Sequence, residues 1–432
     1  MAGTDISLDM NLKFEERLNH EHLRIGVKFG DWERAAVNGN SIGIFFWIFS
    51  ENGTPSPQEI RLRIDAMSIG RISNFYTQDQ TLEMLCPGKE RNAVFSHICI
   101  NRLILPRDGQ IAVIVLDDSG IEHHLGSITF AGNATDDAAS KISTGLRPIL
   151  ITSLGRSGST VLANSLGLHP EVAQIGDYPF EYRFFSYCLQ ATYVLTSPAN
   201  HDFSMGGDAF ENREHFKIGF NPFNHRGYDR LIGDDRLRNF YENEFAQDTA
   251  RFFISSAQKA ILLAASKKPN AKAFVEKMAG NHLANLAESL CSEVNEIVLV
   301  RDFWSMTRSM ISFDAKRGTN SFFSGDPDLW LRGMAFQYSS HIQRSKLDGK
   351  IVVKYEELTS NPQVRLTKLA QELGLRDDGE SIESMLVPFN SSSYRETHST
   401  ALESKEIFVG LFSAAAIDIV ERRLQATNDG DE

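Results

Sequence analysis

The sequence predicts an α/β domain, a phosphate-loop (P-loop) parallel sheet flanked by helices, preceded by a small antiparallel β-sandwich domain. Three observations predict it. Residues 149–167, ILITSLGRSGSTVLANSLG, read as a short buried strand, a glycine-containing turn and a helix. Downstream, short apolar runs alternate with stretches of helical periodicity, the grammar of a parallel sheet with crossover helices. Upstream, short runs alternate apolar and polar with turns between them, as in an antiparallel sandwich.

The turn is the first candidate site. Ile149-Leu150-Ile151 ends in Ser153-Leu154-Gly155-Arg156-Ser157-Gly158-Ser159-Thr160, and Val161, Leu162, Ser165 and Leu166 then repeat at helical spacing. Backbone N–H groups of such a loop and of the helix start converge on one spot, where the helix dipole favours an anion. Arg156 adds a permanent charge and a planar fork of donors suited to phosphate or sulfate oxygens. The nucleotide-triphosphatase loop, G-x-x-x-x-G-K-[ST], is a different pattern: Ser159 follows Gly158 where it has Lys, and Ser153 stands where it has the first Gly.

The 432 residues suffice for two or three domains with sizeable cores, and a net charge of −12 argues against bulk nucleic-acid or anionic-membrane binding. One anionic ligand in a locally basic pocket stays compatible with it. Cys86, Cys99, Cys188 and Cys291 have no metal-ligand spacing and read as reduced core thiols. The first residues show neither a basic start nor an apolar run, and Ile44–Phe49 is too short to span a bilayer. A cytoplasmic protein without a signal peptide or transmembrane segment is expected.

Residues 1–20 read as a polar, loose or helical segment, 21–131 as the sandwich, 132–146 as a linker and 147–432 as the α/β domain. Strands are expected at Leu23–Phe29, Ser41–Ser50, Glu59–Met67, Val94–Ile100, Ile111–Leu116 and Ile121–Phe130. His123-His124 and His20/His22 lack a third metal ligand and read as surface histidines. In the second domain, Val172–Ile175, Lys272–Val275, Glu296–Val300 and Lys350–Lys354 read as strands. Helices are expected over Pro179–Leu195, Gln247–Ser266, His282–Cys291, Asp328–Arg344 and Pro362–Gly374, with another running through Met310. Residues 197–245 form a long insertion of the kind that carries acceptor-binding loops.

Arg156, Asp177, Lys277, Arg301 and Tyr355 each lie just past the carboxyl end of one of these strands. If the strands are parallel, those residues share the edge at which open sheets bind ligands. Two more patterns stand at that edge. Arg301 ends the VLV run and Ser309 lies eight residues on; Lys354-Tyr355-Glu356-Glu357-Leu358 is followed by Pro362, Leu369 and Leu373-Gly374-Leu375.

Together these residues resemble the sulfotransferases that use 3′-phosphoadenosine 5′-phosphosulfate, over roughly 147–400. G-R-S-G-S-T is similar to their phosphosulfate loop. The cytosolic branch usually has Lys at the cation; the carbohydrate and tyrosylprotein branches and many bacterial members have Arg, as here. His169-Pro170 also looks like bacterial and tyrosylprotein-type members, and the segment Tyr178-Pro179-Phe180-Glu181-Tyr182-Arg183 resembles one in some bacterial members. The strand rhythm of 21–131 resembles a small β-domain placed before sulfotransferase or glycosyltransferase domains in some bacterial proteins.

The resemblance implies roles. Gly155, Arg156, Ser157, Gly158, Ser159 and Thr160 would hold the donor's 5′-phosphosulfate. Arg301 and Ser309 would take its 3′-phosphate, Tyr355 would contact the nucleotide, and His398 would belong to a closing loop. Asp177 would be the general base, with Glu181 as its rival; Lys277 would stabilise the sulfuryl group or hold the acceptor, paired with Glu276. His169 reads as structural. The partner is a hydroxyl-bearing acceptor, the product adenosine 3′,5′-diphosphate, and no metal is required. Oligomeric state and the β-domain's partner or glycan are not encoded in these motifs, and a homo-oligomer stays open. Two other readings compete: a P-loop kinase or ATP-binding protein, and a non-catalytic scaffold. The missing Walker Lys argues against the first, and the intact Arg156, Asp177, Arg301 and Ser309 argue against the second.

Overall fold

A computed structural model describes residues 10–16, 23–29, 37–38, 41–50, 57–64, 67–72, 75, 93–101, 108–117, 122–132, 141–174, 183–196, 240–278, 281–390 and 410–429. The chain divides into two compact units, one comprising Met1–Ile142, Tyr187–Ile254 and Asn285–Leu290, the other Ser143–Ser186, Ser255–Ala284 and Cys291–Glu432.

The first unit carries two antiparallel sheets. One contains β1 (Met10–Glu16), β5 (Pro57–Ile64), β6 (Met67–Ile72), β8 (Asp108–Asp117) and β9 (Glu122–Gly132) in the order β1-β9-β8-β5-β6. The other is built on β4 (Ser41–Ser50), which pairs with β2 (Leu23–Phe29), β3 (Val37–Asn38) and β7 (Ala93–Asn101). The sequence expectation of a loose or helical start fails at β1. Leu12 and Phe14 alternate with exposed Lys13 and Glu15, which is a strand pattern, and the strand pairs with β9 from Met10↔Gly132 to Glu16↔Gly126. Three charged residues in MNLKFEE hide that alternation in composition, and an edge strand tolerates them because one side needs no partner. The run expected at Glu59–Met67 is instead the hairpin β5–β6. Gly70 on β6 lets Ile98 of β7 approach: a Cβ there would lie 2.5 Å from the Ile98 Cδ1.

The second unit is a parallel sheet of β10 (Arg147–Ser153), β11 (Val172–Ala173), β12 (Ala273–Met278), β13 (Asn295–Val300) and β14 (Ile351–Lys354), ordered β11-β12-β10-β13-β14. Every strand pair in it is parallel. Buried on both faces, these strands are apolar runs rather than alternating ones. Ile149, Ile151, Val275, Ile297, Leu299 and Val353 form one core with Leu162 and Leu166 of α1 (Ser159–Leu168). The other α-helices described in the chain are α2 (Phe184–Thr196), α3 (Ala246–Ala265) and α4 (Asn281–Leu290), whose residues are divided between the two units, and α5 (Phe303–Arg317), α6 (Pro327–Ser345), α7 (Tyr355–Ser360), α8 (Pro362–Glu372), α9 (Gly379–Asn390) and α10 (Ala414–Asp429) of the second. On α8 and α9, Leu366, Leu369 and Met385 close the core. A second cluster joins Phe303, Met306 and Met310 of α5 to Leu331 of α6 and to Phe412 and Ala416. Helix α2 is described from Phe184, five residues after the Pro179 at which the sequence predicts a start, and α7 is a short helix between β14 and α8 that periodicity does not show. Among the described residues no helix is long and apolar enough to cross a membrane.

Candidate active site

Sheet register brings the site together. Ile151 stands opposite Lys277, Ser153 opposite Leu299, and Val300 opposite Lys354. The loop after β10, Lys277 near the end of β12, Arg301 after β13 and Tyr355 after β14 therefore share the carboxyl edge, where open parallel sheets bind ligands. Arg156, Lys277, Arg301 and Tyr355 all line one cavity there, of about 810 Å³.

The loop is shaped by backbone conformation. Gly158 is the N-cap of α1, with φ 92, and has no side chain with which to cap the helix. First-turn amides of such a helix face the ligand space with the positive end of the dipole. Arg156 has φ 61, the sole positive φ of a non-glycine residue among those described. A left-handed arginine costs about 1–3 kcal/mol, a strain that persists only where surrounding contacts hold it. Arg301 supplies one such contact by donating from Nη1 to the Arg156 carbonyl at 2.7 Å. The Arg156 guanidinium lies 4.6 Å over the Phe313 ring, and its Nε donates to the Ser309 hydroxyl at 3.4 Å.

Tyr355 completes that side. Its ring stacks 4.4 Å under the Arg301 guanidinium and presses against Gly158, where a Cβ would come within 2.5 Å of Cδ2 and Cε2. Among the described residues the buried Arg301 Nε has no hydrogen-bond partner. On the opposite side of the loop the Lys277 ammonium donates to the Thr160 hydroxyl at 2.6 Å.

Lining residues set the cavity's charge. Arg156, Arg183, Lys277 and Arg301 line it, and among the described residues no lining residue is acidic. On a chain of net charge −12, this is a local reversal of a kind that favours an anion. Phe322, Phe389, Pro362 and Pro388 add apolar surface. Phe322 is placed from a distance. The buried Asp314 accepts hydrogen bonds from the N–H groups of Ser321, Phe322 and Phe323, at 3.1, 2.8 and 2.8 Å, and from the Thr319 hydroxyl at 3.0 Å. Burial would raise the Asp314 carboxyl; the donors outweigh it and hold the group below its ordinary value.

The structure alters three sequence expectations. Ser157 is 1% exposed and turns its hydroxyl inward to the Met306 sulfur at 3.5 Å, away from the cavity wall. Ser309 is also buried, beside Arg156 rather than on the cavity wall. Glu276, set beside Lys277 as its partner, points to the other face of β12, as adjacent strand residues do. There it accepts from the N–H groups of Phe185 and Ser186 at 3.0 and 2.7 Å, and from the Ser186 hydroxyl at 2.5 Å, closing the start of α2. His169 is structural, as read: its Nδ1 accepts from the Glu171 N–H at 3.1 Å and its Nε2 donates to the Arg376 carbonyl at 2.9 Å. Asp177, Glu181 and His398 lie outside the described residues.

Sequence reasoning passed over Arg183, Phe322 and Asp314 as site residues. Arg183 ends the Tyr-Pro-aromatic-Glu-x-Arg segment, a signal that was present. Phe322 and Asp314 carry no motif, because their role comes from a loop folding back on a helix. Among the described residues there is no cluster of three or more His, Cys, Asp or Glu able to hold a metal.

A strand–loop–helix cradle with a cation in the loop, at the carboxyl edge of a parallel sheet, defines a P-loop α/β protein. The profile of the sulfotransferase family matches residues 148–379, more than half of the chain, and the chain belongs to that family. Three sulfotransferase structures align with it at low identity. The sulfotransferase domain of the Synechococcus PCC 7002 olefin synthase is 18% identical, covering 64% of this chain and 94% of its own, with a TM-score of 0.33. Sulfotransferase STF9 from Mycobacterium avium is 12% identical over 68% of this chain and 79% of its own, at 0.35. The sulfotransferase domain from the curacin biosynthetic pathway is 15% identical over 68% and 99%, at 0.34. A comparison with curated proteins finds no match.

Proposed function

We propose that this protein transfers a sulfuryl group from 3′-phosphoadenosine 5′-phosphosulfate to a hydroxyl of a carbohydrate, lipid or small metabolite, by in-line displacement. The observation that carries this reading is the cavity wall: among the described residues four cationic side chains and no acid line it, beside a P-loop helix start at one sheet edge. The bound donor supplies the sulfuryl group, and adenosine 3′,5′-diphosphate is the product.

The chain's own residues do the positioning. Backbone N–H groups from Gly155 to Thr160 surround the 5′-phosphate. Arg156 neutralises charge growing on the leaving oxygen, as preorganised donors do in phosphoryl transfer. Arg301, with its unpartnered Nε, takes the 3′-phosphate, with Ser309 behind Arg156 and the Tyr355 ring as a floor. Lys277 steadies the group in transit from the Thr160 side. Asp177 takes the acceptor's proton, with Glu181 as the alternative base, and His398 belongs to the covering loop. No residue role in this scheme calls for a metal, and we propose the cytoplasm as its compartment.

The test is transfer of label from sulfur-labelled donor to a panel of hydroxyl compounds. Label should move to at least one acceptor class, with Arg156→Ala lowering turnover about 100-fold or more. Phosphate transfer from ATP by the wild type, with no sulfuryl transfer, would contradict the reading.

A further inference from the structure

Arg183 and Glu276 stand outside the roles given above, yet the structure joins them. Glu276 is 6% exposed, and its carboxylate takes the first amides of α2 and the Ser186 hydroxyl. Helix starts have unsatisfied amides, and here a strand residue satisfies them where a local cap ordinarily would. Phe185 meanwhile packs edge-on against Phe274 of β12, ring centroids 5.2 Å apart. The start of α2 is thus held to β12 by polar and apolar contacts together. Arg183 immediately precedes α2 and lines the cavity. Its charge also acts on Glu276: burial pushes that carboxyl up, and Ser186, Phe185 and Arg183 pull against the rise.

The sheet order gives this arrangement a direction. β12 lies on one side of β10 and β13 on the other. Arg301 and Tyr355, proposed for the nucleotide, stand on the β13 side. Lys277 and the α2 start stand on the β12 side, across the loop. A donor whose nucleotide end lies toward Arg301 directs its other end toward Lys277 and Arg183.

We propose that Arg183 joins Lys277 in holding the sulfuryl end of the donor, and that Glu276 is the positioning residue that keeps Arg183 on the cavity wall. This rests on the function proposed above.

The experiment compares two ligands by calorimetry, 3′-phosphoadenosine 5′-phosphosulfate and adenosine 3′,5′-diphosphate, which lacks the sulfuryl group. Wild type, Arg183→Ala, Glu276→Gln, Ser186→Ala and the Arg183→Ala/Glu276→Gln pair are measured. Loss of one charge-assisted contact is about 10- to 100-fold in affinity. Arg183→Ala should weaken the sulfated ligand by about that factor and leave the diphosphate within about twofold. Glu276→Gln should repeat the pattern, and the pair should be no weaker than Arg183→Ala alone. Ser186→Ala removes one bond to Glu276 and keeps both charges, so it reports the same pattern more weakly should Glu276→Gln not fold. Equal effects on both ligands, or none, in Arg183→Ala overturn the sulfuryl contact. Wild-type behaviour in Glu276→Gln, or in Ser186→Ala where Glu276→Gln does not fold, overturns the positioning role. Wild type binding neither ligand overturns the function itself, and the inference with it.

Discussion

Gly158 and Tyr355 are in van der Waals contact that admits no further atom: a Cβ on Gly158 would lie 2.5 Å from two carbons of the tyrosine ring. The same glycine has φ 92, so two separate demands fall on one position. Gly158→Ala should therefore destabilise the protein by about 1–3 kcal/mol and weaken nucleotide binding. Adding Tyr355→Ala should recover the steric part of the stability loss and leave the backbone part. Denaturation midpoints of the single and double variants decide this; a fully stable Gly158→Ala would contradict it.

Arg156 combines a strained backbone with a charge. The two can be separated. Arg156→Ala and Arg156→Gly should both lose transfer activity, because both lose the guanidinium. Arg156→Gly should be more stable than Arg156→Ala by about 1 kcal/mol, since glycine occupies φ 61 without the Cβ penalty. Equal stabilities in urea would show that the loop relaxes and that φ 61 is not imposed.

Asp314 fastens the 319–323 loop and with it the Phe322 wall. Asp314→Ala leaves three amides without their acceptor and should cost about 3 kcal/mol. The pH dependence follows from the direction of its shift. The folded carboxyl titrates below its unfolded value, so its contribution is fully present above the ordinary Asp range and is lost as pH falls through the folded value. The stability gap between wild type and Asp314→Ala should narrow on acidification; a gap constant with pH would sink this account.

Beneath the loop lies a buried ion cluster. Glu296 meets Arg344 through two bonds of 2.6 Å, Lys350 at 2.9 Å and the Thr152 hydroxyl at 2.6 Å. Burial would raise the Glu296 carboxyl, but Arg344, Lys350 and Thr152 bring it down to about 2. Its contribution thus holds above the ordinary Glu range and is lost as pH falls through about 2. Glu296→Gln strands the Arg344 charge, which is 0% exposed, and should cost about 3–5 kcal/mol. Urea titrations near pH 7 measure this; a loss below about 1 kcal/mol would mean that the cluster hydrates or rearranges.

Much of the second unit was legible because both faces of its sheet are buried. A strand in that setting is an apolar run, so 149–151, 297–300 and 351–353 announce themselves, and a rim residue stands one to five positions past each. Parallel order then gathers Arg156, Lys277, Arg301 and Tyr355 without further information. What stayed illegible depends on contacts across the chain. Glu276 follows the apolar run of β12, and its capping of α2, 90 residues away, leaves no local mark. Asp314 and Phe322 meet only because the chain reverses after α5. Ser309 has the spacing expected of a phosphate ligand, yet helix geometry turns its hydroxyl to Arg156. In β1, charged residues on the exposed face outweighed Leu12 and Phe14 in composition, although their alternation is that of a strand.

The central claim, that the cationic cavity receives a 3′-phosphorylated nucleotide, is tested most directly by calorimetry with adenosine 3′,5′-diphosphate beside ATP and 5′-AMP, repeated on Arg301→Ala. Binding should be micromolar, require the 3′-phosphate and fall about 100-fold in the variant, the loss of a charge-assisted contact of ~2–3 kcal/mol. ATP binding as tightly as the diphosphate, or an Arg301→Ala variant that binds like wild type, would contradict it.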